Sequence, residues 1–192
     1  MNIRDARPDD APALARLIDI AGEGLPSCLW SRSAEPGRSA QQVGCERAAR
    51  EEGGFSYRNA RVCVDTSGHI VGMLLSYRQP DPYELPDLGE LPAVVRPLVE
   101  LEAAAPGTWY VNALATFPES RGLGAGTCLM GLAESMACEA GAPGLSLIVA
   151  EQNAGAKRLY ERLGYGVEAR APIVPWPGAA HGGDWLLMVR PL

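Results

Sequence analysis

The sequence is poor in metal-binding residues and has no long apolar run. Its two histidines, His69 and His181, lie far apart, and its five cysteines form no Cys-x-x-Cys pair. This excludes the common zinc motifs, while a magnesium site built of carboxylates alone stays open. An odd, scattered set of cysteines is typical of reduced thiols. No run approaches the roughly 20 apolar residues of a membrane span, and no secretory signal begins the chain. We therefore expect a cytoplasmic protein without a catalytic metal or a membrane partner.

The chain also lacks the excess of basic residues that nucleic-acid-binding proteins carry. Its 17 basic and 23 acidic residues give a net charge of −6. This argues against a nucleic-acid partner but permits a local basic pocket for a phosphate. A length of 192 residues suits a single domain that buries its own core. We therefore expect one domain over residues 1–192, with an excursion of helix and loop at about residues 79–107.

Hydrophobic periodicity predicts a mixed α/β chain with a strand-helix-strand unit at its centre. The expected strands cover residues 2–6, 56–65, 69–78, 108–116, 145–149, 165–171 and 185–190. The expected helices cover residues 8–21, 39–52, 122–140 and 153–163, and a further helix, broken or restarted at Pro97, ends near residue 105. Residues 24–37, which are rich in glycine and proline, are expected to be irregular.

A glycine-rich turn over residues 118–127 is the most informative segment. There a predicted strand ends, the glycines follow and a helix begins, which is the arrangement of an anion site at a helix N-terminus. Arg121 adds a cation suited to a phosphate. The turn has no lysine for a Walker motif, and Thr127 stands where a dinucleotide-binding fingerprint needs its last glycine. The alternative is that the glycines only let a helix pack closely on a sheet.

Two motifs together identify a family. Arg-x-x-Gly-x-Gly, beginning at Arg121 and preceded by a strand, resembles the acetyl-CoA signature of the GNAT acyltransferase superfamily. Residues 153–165 resemble that family's element N-x-x-A-x-x-L-Y-x-x-x-G-F/Y. The resemblance covers about residues 108–166. It implies a mixed, mostly antiparallel sheet with a splayed pair of parallel strands, flanking helices, and acetyl-CoA as the co-substrate.

The resemblance also implies which residues hold acetyl-CoA. The backbone of Leu114, Ala115 and Thr116 would bind the amides of the pantetheine arm, as an added strand does. Asn153 matches the family residue that contacts this arm. The pyrophosphate would be held by the backbone N–H groups of the turn, together with the Arg121 side chain. The turn residues concerned are Gly122, Leu123, Gly124, Ala125, Gly126 and Thr127.

Tyr160 matches the family's general acid. An amine attacks the thioester, and the departing thiolate of coenzyme A needs a proton. A nearby phenol can supply that proton in the transition state. The alternative is a tyrosine that only fills the core from the apolar face of its helix.

The general base is open. The strand over residues 108–116 carries no carboxylate, which puts a base on that strand in doubt. Glu151 follows the next strand, and Glu23, Glu84 and His181 lie in predicted loops, but charged side chains in such places are usually solvated. A chain of water molecules is an equal alternative. Cys128, near a helix N-terminus, is a further nucleophile candidate, although it has no histidine near it in sequence.

The resemblance implies a small-molecule or peptide amine as the acceptor, and its identity is open. Four aromatic residues, partly in predicted loops, are expected to line its pocket or to belong to the core, namely Trp30, Tyr83, Trp176 and Trp185. Residues 79–102 are acidic, which would attract a cationic amine or only solvate the surface. The resemblance is compatible with a homodimer. Two other functions remain open: a catalytically silent acyl-CoA-binding module of the same fold, and a nucleotide-binding protein that uses the turn for another phosphate.

Overall fold

A computed structural model describes residues 1–179 and 182–192. In these residues, seven strands form a sheet in the order β1-β2-β3-β4-β5-β7-β6. The strands are β1 (Asn2–Asp5), β2 (Ala60–Val64), β3 (Ile70–Arg78), β4 (Trp109–Thr116), β5 (Gly144–Ala150), β6 (Gly166–Pro172) and β7 (Asp184–Pro191). The helices are α1 (Ala11–Ala21), α2 (Leu25–Ser33), α3 (Ala40–Ala48), α4 (Arg96–Ala103), α5 (Ala125–Glu139) and α6 (Ala154–Arg162). The expected mixed α/β fold with a mostly antiparallel sheet is confirmed, and β4 and β5 run parallel.

The chain divides into two compact units. The first consists of Met1–Tyr77 and Asn112–Leu132, and the second of Arg78–Val111 and Ala133–Leu192. The predicted excursion contains α4 and a short 3-10 turn at Leu88–Glu90, and it falls in the second unit.

The core of the first unit lies between its helices and its sheet. Leu14, Leu17 and Ile18 of α1 are fully buried, as their spacing predicts. They pack in one cluster with inward residues of β2 and β3, including Val62 and Met73. In this unit β1, β2 and β3 pair in antiparallel order.

The prediction that residues 24–37 are irregular is wrong, because α2 lies there. Gly24 precedes the helix with a φ of 84°, a conformation that glycine adopts without strain, and Pro26 occupies its first turn. The glycine and the proline therefore mark the start of a helix. Trp30 of α2 is 2% exposed. A Cβ added to Gly44 of α3 would lie 2.4 Å from the Trp30 ring, so this glycine lets the ring lie against α3.

Several element ends differ from the sequence prediction for local reasons. The helix α3 is capped by Ser39 as expected, but it ends at Ala48 rather than at residue 52. The strand expected from residue 56 starts only at Ala60. A 3-10 turn precedes it, in which the Arg58 N–H donates to the Ser56 hydroxyl. Pro97 lies in the first turn of α4, where its missing N–H costs no hydrogen bond.

The second unit is centred on β5, which is buried on both faces as predicted. Over Trp109–Val111, β4 pairs in parallel with Leu145–Leu147 of β5, and β7 pairs with both β5 and β6. Ser146, the polar residue of β5, is 1% exposed and shares a 2.7 Å hydrogen bond with Thr108. The helix α4 packs against β5, β6 and β7.

Within the described ranges, no helix has both the length and the apolar character needed to cross a bilayer. In the same ranges, no three potential metal ligands of the His, Cys, Asp or Glu type cluster together. All five cysteines are free thiols. The base candidate His181 lies outside the described residues.

Candidate active site

The glycine-rich turn follows β4 in the first unit. The Phe117 N–H donates to the Val71 carbonyl at 3.0 Å, which fixes the end of the strand. A 3-10 turn over Pro118–Ser120 follows. Gly122 and Gly124 then have φ values of 76° and 85°, which residues with a Cβ adopt only under strain. The glycines are therefore required by the path of the backbone, and close packing of a helix does not explain them, because a Cβ on either would meet no atom within 4 Å.

The turn presents a row of N–H groups without partners. Among the described residues, the backbone N–H groups of residues 122–127 donate no hydrogen bond. The first satisfied donor of the helix is Cys128, whose N–H lies 3.0 Å from the Gly124 carbonyl. Arg121 is exposed and pairs with no acidic side chain in the part of the chain described. Consecutive free N–H groups, the positive end of a helix dipole and a cation form a binding site for a phosphate or another anion.

The end of β4 lies against Gly72 of β3, which has no side chain. A Cβ on Gly72 would come within 2.9 Å of the Thr116 methyl and 3.0 Å of the Ala115 carbonyl oxygen. Gly72 therefore lets the two backbones approach closely at this point. Ala115 is buried in the core, while Leu114 and Thr116 are half-buried and point to the other side of the strand.

Tyr160 lies on α6 in the second unit. Its residue is 7% exposed, and burial raises the pKa of its phenol to about 12. The hydroxyl has no hydrogen-bond partner among the described residues. The phenol is thus protonated at neutral pH, and none of the described residues accepts its proton.

Tyr165 shows how the environment of Tyr160 differs from that of its neighbour. The two rings lie 6.0 Å apart with an interplanar angle of 58°. The Tyr165 hydroxyl is fully enclosed and has no partner in the described part of the chain. Burial raises the pKa of Tyr165, and the nearby Arg190 guanidinium opposes part of the rise.

Asn153 has a structural role in α6. Its side-chain oxygen accepts a hydrogen bond of 3.2 Å from the Ala156 N–H and caps the helix. This cap holds the helix that carries Tyr160, which is a sufficient reason for asparagine at this position. Contact with the arm of a bound cofactor remains a prediction.

The base candidates from the sequence differ in their surroundings. Glu151 pairs with Arg170 at 3.1 Å, so its charge is already compensated. Glu84 is exposed. Glu23 lies in a strained backbone conformation with a φ of 55° after α1. Cys128 is exposed in the first turn of α5.

The four aromatic candidates have different surroundings. Trp30 belongs to the core of the first unit. Trp176 and Trp185 are both buried and stack with centroids 6.1 Å apart and an interplanar angle of 3°. Tyr83 instead takes part in a polar contact, in which its hydroxyl donates to Glu102 at 3.2 Å.

The acidic character of residues 79–102, which is expected to attract a cationic amine or only to solvate the surface, does not distinguish Glu102 from the other acidic residues of this segment, but the structure does. Burial raises the pKa of its carboxyl, while the hydroxyls of Tyr110 and Tyr83 lower it by hydrogen bonding. A signal was present in the sequence. Glu102 lies four residues after Leu98 and next to Leu101, on the stripe of α4 that faces the protein. A carboxylate on such a stripe is a candidate for function.

Comparisons with known proteins agree with this geometry. A model of the acetyltransferase (GNAT) family matches residues 28–165. No curated protein matches the chain significantly by sequence. A polyamine N-acetyltransferase of Drosophila melanogaster has a similar structure, with a TM-score of 0.70 at 15% identity over 100% of this chain and 99% of that one.

Two further solved structures share the fold. Naa20 of Chaetomium thermophilum, in complex with a bisubstrate analogue, has a TM-score of 0.64 at 20% identity over 100% of this chain and 87% of that one. An N-acetyltransferase from Staphylococcus aureus Mu50 has a TM-score of 0.65 at 17% identity over 99% and 100% of the two chains. At these identities the likeness concerns the fold alone. The family model, which spans most of the chain, goes further: this chain belongs to the GNAT family of acetyltransferases.

Proposed function

We propose that the chain is an N-acetyltransferase that transfers the acetyl group of acetyl-CoA to a primary amine by direct attack. The observation that carries the proposal is the row of unpartnered N–H groups at residues 122–127 beside Arg121. A pyrophosphate has the charge and the oxygen acceptors that such a row requires. The two motifs and the family membership make the pyrophosphate of coenzyme A the natural occupant.

The same ligand engages β4 through backbone groups. Leu114, Ala115 and Thr116 bind the pantetheine amides in the manner of an added strand. Because these contacts use the main chain, the side chains at these positions are free to serve the packing of the strand. Asn153 contacts the arm in addition to capping α6.

Tyr160 acts as the general acid. The amine nitrogen attacks the thioester carbon, and the carbon–sulfur bond breaks as the tetrahedral intermediate collapses. The Tyr160 hydroxyl donates its hydrogen to the departing sulfur, and the phenol regains a proton from the nitrogen, which must lose one to become an amide. With a pKa of about 12, the phenol is fully protonated at the start of each turnover.

Release of free coenzyme A thiol in the presence of amines tests this proposal. The wild-type protein is mixed with acetyl-CoA and with putrescine, spermidine or a peptide that has a free N-terminal amine. We expect thiol release that depends on the amine, together with a product whose mass has increased by one acetyl group. Binding of acetyl-CoA without transfer to any amine would instead identify a silent acyl-CoA-binding module.

A further inference from the structure

The second unit contains a carboxylate that the reaction described above does not use. Glu102 lies in the last turn of α4 and is only partly exposed. The Tyr83 hydroxyl donates to its Oε2 at 3.2 Å, and the Tyr110 hydroxyl also donates to the carboxyl. Tyr110 lies on β4 and is 4% exposed. Two phenols from distant parts of the chain therefore fix the orientation of one carboxylate.

This carboxylate has no cation to balance it. Among the described residues, no arginine or lysine pairs with Glu102, and its only hydrogen-bond donors are the two neutral phenols. Partly buried carboxylates in proteins are usually compensated by a cation. The other acidic residues of the segment need no such partner because they are exposed; these are Asp81, Glu84, Asp87, Glu90 and Glu100.

A second polar group of this unit also lacks a partner. Gln79 is 4% exposed, and its Nε2 makes no hydrogen bond in the described part of the chain. The Gln79 backbone N–H donates to the Thr108 carbonyl at 2.8 Å, between the end of β3 and the start of β4. The second unit thus contains an unused amide donor as well as an uncompensated carboxylate.

From this arrangement we infer that Glu102, held between the hydroxyls of Tyr83 and Tyr110, binds the ammonium group of the acceptor and takes its proton. The inference rests on the proposed function, because it assigns the base of that same reaction. It also specifies the acceptor as a cationic primary amine.

The proton balance of the step is simple. An ammonium at Glu102 gives one proton to the carboxylate and becomes a neutral amine with a free lone pair, which attacks the thioester. The carboxylic acid returns that proton to water. Burial raises the pKa of the Glu102 carboxyl toward the pKa of the ammonium, which makes the carboxylate a stronger base. Of the charged residues on the strands packed against α4, Arg170 and Arg190 pair with Glu151 and Glu134, Glu168 is exposed and Asp184 is half-buried.

The test compares Glu102→Gln with Glu100→Gln. Glu100 is an exposed carboxylate on the same helix, so its variant is a matched control for charge and helix propensity. Both variants and the wild type are assayed with putrescine, spermidine and 2,2,2-trifluoroethylamine, an amine that is mostly neutral at pH 7.5. Binding of spermidine to each protein in the presence of coenzyme A is measured by calorimetry.

The inference predicts a selective loss. Glu102→Gln should lower kcat/KM for putrescine and spermidine by about 100-fold, which is the usual effect of a general base. It should have little effect on the rate with trifluoroethylamine, because that amine needs no deprotonation. Spermidine should bind to the wild type and to Glu100→Gln but not to Glu102→Gln.

Three results would overturn the inference. The first is full activity of Glu102→Gln with the cationic amines, and the second is an equal loss with the cationic and the neutral amine. The third is a wild-type protein that binds none of the cationic amines. These outcomes are distinct from a failure of the proposed function, which would appear as a wild-type protein that does not bind acetyl-CoA.

Discussion

The glycine turn and the cluster around Glu102 are built in opposite ways. The turn over residues 118–127 is contiguous in sequence, and its N–H groups belong to the main chain. The cluster joins Tyr83, Glu102 and Tyr110 through side chains that come from a loop, a helix and a strand. A backbone site requires particular residue types at fixed spacing, so it is visible as a motif. A side-chain cluster is assembled by the fold, so it is not.

The comparison extends to the effect of substitutions. In the turn, replacing a side chain changes little unless it changes the backbone path or removes the one charged contact. In a site made of side chains, removal of a single hydroxyl or carboxylate removes its chemistry.

Tyr160→Phe should reduce kcat by about 100- to 1,000-fold while leaving the Kd of acetyl-CoA almost unchanged. The matched control is Tyr165→Phe, which removes a hydroxyl that is enclosed and has no partner in the described residues. This control should keep its kcat. Steady-state kinetics under conditions where chemistry is rate-limiting, combined with calorimetry of acetyl-CoA binding, measures both quantities. Equal kcat values for the two variants would remove Tyr160 as the acid.

Gly124→Val should weaken coenzyme A binding by about 30- to 150-fold. A β-branched residue at a φ of 85° costs roughly 2–3 kcal/mol, and the turn relaxes to a path on which its N–H groups no longer converge. Gly131→Ala is the control, because Gly131 lies within α5 and a Cβ there meets no atom within 4 Å. Calorimetry that finds the same Kd for both variants would contradict the backbone site.

Arg121→Ala should weaken coenzyme A binding by about tenfold, because it removes one charge-assisted contact and leaves the N–H groups in place. The effect should diminish at high salt, since the side chain is exposed. Arg32→Ala removes another exposed arginine, at the end of α2, and should have no effect. An unchanged Kd for Arg121→Ala would exclude contact with the pyrophosphate.

Glu102→Gln should raise the melting temperature by a few degrees at pH 7.5, and this gain should vanish near pH 4. The folded protein raises the pKa of Glu102, so its protonated form favours folding at low pH, and that contribution is lost as the pH rises through the folded-state pKa. Glutamine resembles the protonated form at every pH. Thermal melts of the variant and the wild type between pH 4 and pH 7.5 measure the difference in melting temperature. A difference that is constant with pH would show that burial does not raise the pKa of the Glu102 carboxyl.

The sequence was sufficient for the parts of the protein that depend on local rules. The buried stripe of α1, the burial of β5 and the glycine turn all follow from spacing. The prediction failed for α2, because glycine and proline at residues 24 and 26 start a helix as readily as they interrupt one. Nor does spacing show that the hydroxyl of Tyr165 is fully enclosed. That property depends on packing by distant residues.

Thermal stability measured with acetyl-CoA, coenzyme A, ATP and NAD in parallel shows whether the glycine turn holds coenzyme A. A ligand at about 100 times its Kd stabilises a protein by roughly 2.7 kcal/mol, which is about 5–11 °C for a chain of this size. We expect such a shift with acetyl-CoA and with coenzyme A, and none with ATP or NAD at the same concentration. The absence of a shift with either coenzyme A form at millimolar concentration, or an equal shift with ATP or NAD, would contradict this expectation.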